Sequence, residues 1–118
     1  MDYTQKLHEL MMTTVKQNAS DLHIGVAKKP TLRVDGLLIP LEKENIITPD
    51  VAEGLINALL TDDQKRRFEE HRELDFSYAF EDKARFRVNV YHQRGYKAAA
   101  LRSIPSQIRT LNELNLPP

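Results

Sequence analysis

Two arginines in the second half of the chain are the residues best suited to chemistry. The stretch from Arg85 to Pro105 alternates polar and apolar residues, which predicts a β-hairpin that turns at Arg94-Gly95. With that turn, Arg87 lies directly opposite Arg102 on one face of the hairpin. Because like charges opposite one another repel in a sheet, the pair needs an anion or a carboxylate nearby. The spacing therefore indicates a place where a phosphate or a carboxylate would bind.

A second interpretation of the same arginines is purely structural. Exposed charges are usually ordinary surface, and exposed ion pairs contribute little to stability. In this interpretation Arg87 and Arg102 are solvated, or they pair with a carboxylate of the same domain such as Asp75. In favour of the ligand interpretation, the small side chains of Ala98 and Ala100 leave room between the charges for a ligand to approach. Spacing alone leaves both interpretations open.

Other catalytic patterns are missing from the sequence. It contains no G-x-x-x-x-G-K-S/T phosphate loop, no G-x-S-x-G elbow and no H-E-x-x-H motif. The four histidines fall on different predicted elements without ligand spacing, so no metal site is predicted. Asp21 and His23 project the same way from one predicted strand, but two residues do not make a catalytic triad. No catalytic residue is therefore predicted in this chain.

Length and composition fit a single domain. The chain has 118 residues, enough to bury a core without staples, and it contains no cysteine. Its 17 lysines and arginines balance 17 aspartates and glutamates, which argues against a dedicated nucleic-acid binder. The longest apolar runs are a few residues, and the N-terminus lacks a signal-peptide pattern. Neither a membrane span nor a secretion signal is predicted.

Periodicity and capping residues predict the elements that position the arginines. The first predicted helix runs from Tyr3 to Val15, and a second begins at Thr48-Pro49-Asp50. A third is predicted from Asp62 to His71, after a capping box of Thr61 and Gln64. Predicted strands, besides the hairpin, are Ser20 to Gly25, Thr31 to Val34, Leu37 to Ile39 and Leu74 to Phe80. Asp35-Gly36 is predicted to join two of them by a type I′ turn.

The strand Leu74 to Phe80 is predicted to pair with the first hairpin strand. A loop at Asp82-Lys83-Ala84 would set Phe80 opposite Phe86 and the other aromatic side chains on the same face. The predicted fold class is α+β, with an antiparallel sheet of about five or six strands and helices packed on one face. The other face, which carries the arginines, stays available for a partner.

Five short motifs stand out along the chain. They are Ala19-Ser20-Asp21-Leu22-His23, Arg33-Val34-Asp35-Gly36, Arg85-Phe86-Arg87-Val88-Asn89-Val90, Leu101-Arg102-Ser103-Ile104-Pro105 and the closing Leu111-Asn112-Glu113-Leu114-Asn115-Leu116-Pro117. In this order and spacing they resemble the N-terminal domain of the PilT family, the type IV pilus retraction (twitching motility) ATPases of the GspE/PilT secretion ATPase superfamily. The resemblance covers essentially the whole chain.

The resemblance implies a domain organisation and a nucleotide site. Residues 1–109 would form a PAS-like N-terminal domain, and residues 110–118 a linker toward a RecA-like ATPase domain that this chain lacks. ATP, with magnesium in the full-length protein, would bind between the two domains. Arginines on the sheet face would reach its phosphates, and the positions that match are Arg87 and Arg102, with Arg94 at the turn as a third candidate.

The resemblance also implies partners and a location. The full-length protein would be a cytoplasmic homohexamer, peripheral to the inner membrane through the pilus machinery. Its RecA-like domains, in the same and neighbouring subunits, would be the partners of this domain. Because the phosphate loop, the acidic boxes and the catalytic glutamate belong to the RecA-like domain, the fragment alone should neither hydrolyse ATP nor bind it tightly.

Two alternatives to a retraction motor remain open. The same domain occurs in pilus-assembly and type II secretion ATPases, although the start of this chain close to its first helix favours retraction. A free-standing PAS-like binding module is the other alternative, and the leucine-rich, proline-ended tail argues against it.

Overall fold

The computed structural model describes residues 2–80 and 84–104, which form three helices and one six-stranded antiparallel sheet. The strand order is β3-β2-β1-β6-β5-β4. This arrangement confirms the predicted α+β class. In chain order the elements are α1 (Tyr3–Lys16), β1 (Asp21–Ile24), β2 (Thr31–Val34), β3 (Leu37–Pro40), α2 (Pro49–Leu59), α3 (Asp62–His71), β4 (Glu73–Phe80), β5 (Ala84–Gln93) and β6 (Tyr96–Ile104).

The core lies between the helices and one face of the sheet. Helix α1 contacts β1 and β5, α2 contacts β6, and α3 contacts β4. The buried side chains alternate along the central strands, as expected when one face of a sheet covers a core. They include Leu7, Leu10 and Met11 from α1, Leu55 and Ile56 from α2, Phe68 from α3, and Leu22, Ile24, Phe86, Val88, Val90, Ala99 and Leu101 from the sheet.

The helix starts follow the predicted capping residues. The Thr48 hydroxyl accepts a hydrogen bond from the Val51 N–H at 3.3 Å, with Pro49 in the first turn. Before α3, the Thr61 hydroxyl accepts from the Gln64 N–H at 3.2 Å, and the Gln64 side chain accepts from the Thr61 N–H at 2.9 Å. Each cap satisfies a backbone donor that has no partner inside the helix.

Both predicted hairpin turns are present. Asp35 and Gly36 have φ angles of 53° and 81°, and Arg94 and Gly95 have φ angles of 55° and 83°. Positive φ at both central residues is the requirement of a type I′ turn, whose twist matches that of the flanking strands. The β5–β6 register is the predicted one, with Arg87 opposite Arg102.

The predicted register between β4 and β5 is wrong by two residues. Phe86 lies opposite Tyr78, not Phe80, and Phe80 lies opposite Ala84. The strands therefore pair right up to Ala84, which was assigned to the loop. A shift of two residues keeps every side chain on its own face, so the alternation of polar and apolar residues cannot detect it.

The edge strand β3 exposes three consecutive apolar side chains. Leu37 is 68% exposed, Leu38 57% and Ile39 43%. The described helices cover the central strands and β4 but leave β3 open. No helix in the described part of the chain is long and apolar enough to cross a membrane. The predicted linker at residues 110–118 lies outside the described residues.

Candidate functional site

The sheet face opposite the helices carries a row of charged residues across four neighbouring strands. In the register of the sheet, Arg33 on β2 lies opposite Asp21 on β1, and Asp21 lies opposite Arg102 on β6. Arg102 in turn lies opposite Arg87 on β5. We call these four residues the charged row. Three of its members are cations and one is an anion, so the row carries a net positive charge at neutral pH.

Asp21 is the carboxylate partner of Arg102. It is 8% exposed, and its Oδ1 accepts a hydrogen bond from the Ser20 hydroxyl at 2.6 Å. Its Oδ2 lies 3.5 Å from Nε of Arg102, whose side chain is 73% exposed. An ion pair with so exposed an arginine contributes little to stability. Arg102 is therefore oriented by Asp21 while most of its guanidinium stays accessible.

Asp75 is not the carboxylate partner of Arg87 or Arg102, although the structural interpretation of the sequence named it as one example. It lies opposite Asn89, whose side-chain amide donates to Asp75 at 2.9 Å and to Glu73 at 3.0 Å. The reason is register, because the residue of β4 opposite Arg87 is Ser77. A carboxylate does approach the pair, but it comes from β1 on the other side.

Arg87 lies between Arg102 on one side and Ser77 on the other. It is exposed, and it forms no ion pair with any carboxylate among residues 2–80 and 84–104. Part of the repulsion between the two guanidinium groups is offset by Asp21, which forms an ion pair with Arg102. Arg87 is thus the member of the charged row with open capacity for an anion.

Arg94 lies at the far end of the hairpin. It is exposed in the turn after β5, about seven positions from Arg87 and so roughly 23 Å away along an extended strand. The structure brings Arg87 and Arg102 together and does not bring Arg94 to them. Ala98 and Ala100 lie on the strand between Arg94 and Arg102. Ala98 is 1% exposed, so a ligand cannot approach there as the sequence predicted, whereas Ala100 is half-buried.

His23 lies beside the charged row and lines a cavity of about 180 Å³. Its side chain shares a face with Asp21, as predicted. Burial lowers the pKa of the imidazole below 6.5; Asp21 acts in the opposite direction, and Arg33 and Lys28 lower the pKa further. His23 is therefore neutral at pH 7. Sequence reasoning missed Lys28 and Arg33 as site residues, because their proximity to His23 depends on how β1 and β2 pair.

Comparison with known proteins identifies relatives of this chain. No family model matches the chain. Over 113 residues the chain is 39% identical to the type IV pilus retraction ATPase PilT of Pseudomonas aeruginosa, in an alignment that covers 92% of this chain and 31% of PilT. The chain is homologous to the N-terminal region of PilT. The resemblance read from the sequence motifs is thereby confirmed.

Two further comparisons agree with the homology to PilT. A crystal structure of the pilus retraction motor PilT with bound ADP matches with a TM-score of 0.80 and 33% identity, covering 92% of this chain and 32% of that one. The type IV pilus ATPase PilU of Pseudomonas aeruginosa is 30% identical over 112 residues, covering 95% of this chain and 29% of PilU. The chain spans about a third of the length of PilT and PilU.

Proposed function

We propose that this chain is the N-terminal domain of a type IV pilus retraction ATPase, in which Arg87 and Arg102 contact the phosphates of ATP. The nucleotide would lie between this domain and a RecA-like domain. The observation that carries the proposal is the opposed arginine pair, in which Arg102 has a single carboxylate neighbour and Arg87 has no carboxylate partner in the described ranges.

The chemistry of the pair suits a triphosphate. Two guanidinium groups on adjacent strands present planar forks of N–H donors, which match the oxygens of phosphate groups. Asp21 orients Arg102 without enclosing it, since the Arg102 side chain stays 73% exposed. Donors held in place before the ligand arrives stabilise developing negative charge without reorganising during the reaction. The pair would therefore stabilise charge on the phosphates as ATP is cleaved.

The remaining parts of the proposed motor lie outside this chain. The RecA-like domain would supply the phosphate loop, the magnesium site and the catalytic glutamate, so the present chain would not be catalytic by itself. The full-length protein would act as a cytoplasmic homohexamer that works with the pilus machinery at the inner membrane. In support, PilT and PilU are both pilus ATPases by name, and a PilT structure contains ADP.

Substitution of the two arginines in the full-length protein tests the proposal. We expect Arg87→Ala and Arg102→Ala to lower ATP turnover by a large factor, about 10³-fold at the upper end, as loss of a charge-stabilising arginine does in other phosphoryl transfers. Arg66→Ala is the matched control, because Arg66 is an exposed arginine on α3 that forms an ion pair with Asp63 at 3.1 Å. Its turnover should equal that of the wild type.

Melting temperatures of the same variants in the present chain give a second readout. Arg87→Ala should leave the melting temperature unchanged or slightly raised, because it relieves repulsion. Arg102→Ala also removes the contact with Asp21, so it should lower the free energy of unfolding by less than about 1 kcal/mol, as expected of an exposed ion pair. Its melting temperature should therefore fall only slightly. Near-normal turnover together with clear destabilisation would identify the arginines as structural and contradict the proposal.

A further inference from the structure

The cavity beside His23 has the features of a second ligand site. It measures about 180 Å³ and is lined by polar and charged side chains that include His23, Lys28, Thr31, Arg33 and Tyr91. These residues come from β1, β2, β5 and the connection between β1 and β2. Neither Arg87 nor Arg102 lines the cavity. We call it the His23 cavity.

His23, which lines this cavity, carries an unsatisfied polar atom. Its Nε2 is inaccessible to solvent and has no hydrogen-bond partner among the described residues. Burying a polar group without a partner costs free energy, and such groups in native proteins usually have a ligand or a water as their partner. Burial lowers the pKa of the imidazole, so the ring is predominantly neutral at pH 7 and adds little positive charge to the cavity wall.

The wall of the His23 cavity has an excess of positive charge. Lys28 is exposed and has no ion pair within the described ranges. Arg33 donates one hydrogen bond to the Gly36 carbonyl at 3.2 Å, which leaves other guanidinium donors free. Lys29 is already committed to Glu42, at 2.9 Å to the carbonyl and 3.1 Å to the carboxylate. Lys28 and Arg33 therefore remain for an incoming anion.

The nearest carboxylate does not neutralise these charges. Asp21 is the acidic group that acts on His23, but its two oxygens are engaged by the Ser20 hydroxyl and by Arg102. The Lys28 ammonium and the Arg33 guanidinium around a small cavity are donors suited to a tetrahedral oxyanion. A carboxylate would use fewer of these donors than a phosphate group.

We propose that the His23 cavity binds a phosphate group, with Lys28 and Arg33 donating hydrogen bonds to its oxygens and balancing its charge beside the ring of His23. The site goes beyond the ATP contacts proposed above, because it uses neither arginine of the opposed pair. The phosphate group belongs either to a free phosphate ion or to the phosphate end of a nucleotide.

Titration of the present chain with inorganic phosphate, followed by NMR of the His23 ring, tests the proposal. Saturable shifts of the ring resonances are expected at constant ionic strength. Lys28→Gln should weaken phosphate binding by about tenfold, the loss typical of a hydrogen bond to a charged group. Lys43→Gln removes the same charge from an exposed lysine outside the cavity and should leave the affinity within about twofold, since a distant surface charge is screened.

A parallel titration with ADP distinguishes the two sources of the phosphate group. Equal dependence on Lys28 for both ligands would assign the site to a nucleotide phosphate, and a response to inorganic phosphate alone would assign it to the free ion. Arg66→Gln should not change either titration, because Arg66 lies on α3 and does not line the cavity. No saturable shift, equal losses in the two lysine variants, or loss of binding in Arg66→Gln would overturn the proposal.

Discussion

At the scale of single residues, the charged row joins two roles that exposed arginines usually have separately. Asp21 is buried and accepts a hydrogen bond from Ser20, so it offers Arg102 a carboxylate in a defined position. Arg87 receives no such support from the described carboxylates and faces the positive charge of Arg102 directly. An anion that bridges both guanidinium groups would relieve the repulsion and gain charge-assisted hydrogen bonds. The row is therefore better suited to a ligand than to the stability of the domain.

The titration of His23 makes a testable prediction about acid stability. Burial lowers its pKa in the folded chain, so below about pH 6.5 the unfolded chain binds more protons than the folded chain does. The free energy of unfolding therefore decreases as the pH is lowered. The loss ends once the pH is below the folded-state pKa. The charged groups that act on His23 are Asp21, Arg33 and Lys28. Urea unfolding of the wild type and His23→Gln at about pH 7.5 and about pH 5.5 measures this contribution.

The expected result is a smaller acid loss in His23→Gln than in the wild type. His71→Gln is the control, because His71 is an exposed residue at the end of α3, with a side chain 67% exposed. It should lose as much stability as the wild type over the same interval. Identical acid losses in all three proteins would show that His23 does not titrate in this way.

The sequence predicts the arginine pair but not its surroundings. Arg87 and Arg102 belong to one hairpin, whose register follows from a local turn signal at Arg94-Gly95. Asp21 reaches Arg102 only because β1 pairs with β6, and these strands are far apart in the sequence. No local pattern specifies that pairing. The His23 cavity depends on the same long-range contacts, so Lys28 was not recognised as a site residue.

At the scale of elements, local signals determined the helices and both tight turns. Capping at Thr48 and Thr61 and positive φ at Gly36 and Gly95 are short-range features, and each was predicted from neighbouring residues. The β4–β5 register depends on where pairing begins after the connection between them. Since a two-residue shift conserves both faces, only packing selects Tyr78 as the neighbour of Phe86.

Phe86 should be the main packing residue of β5. It is fully buried between the sheet and the helices, so Phe86→Ala should cost about 3–5 kcal/mol in urea unfolding, from lost transfer free energy and the cavity left behind. Tyr96→Ala is the control on the partner strand, because Tyr96 is 47% exposed and should lose about 0.5 kcal/mol or less. A loss below about 1 kcal/mol for Phe86→Ala would mean that the core face has been assigned wrongly.

At the scale of the whole molecule, the helices leave one end of the sheet uncovered. The strand β3 exposes three apolar side chains in a row at the edge of the sheet. An exposed edge strand is a risk for pairing with another chain. Proteins usually limit this risk with short or charged edges, and β3 contains only four residues.

The short edge predicts that the chain is a monomer at micromolar concentration. A stable interface takes about 20–30 residues from each side, far more than a four-residue strand provides. Analytical ultracentrifugation should therefore give a single species with the mass of one chain, 13.6 kDa. Leu38→Lys places a charge on the edge strand and should leave the sedimentation unchanged, because no interface depends on it. A wild-type dimer that Leu38→Lys dissociates would show instead that β3 pairs between copies, and a tight hexamer of this chain would show that hexamer formation does not require the RecA-like domain.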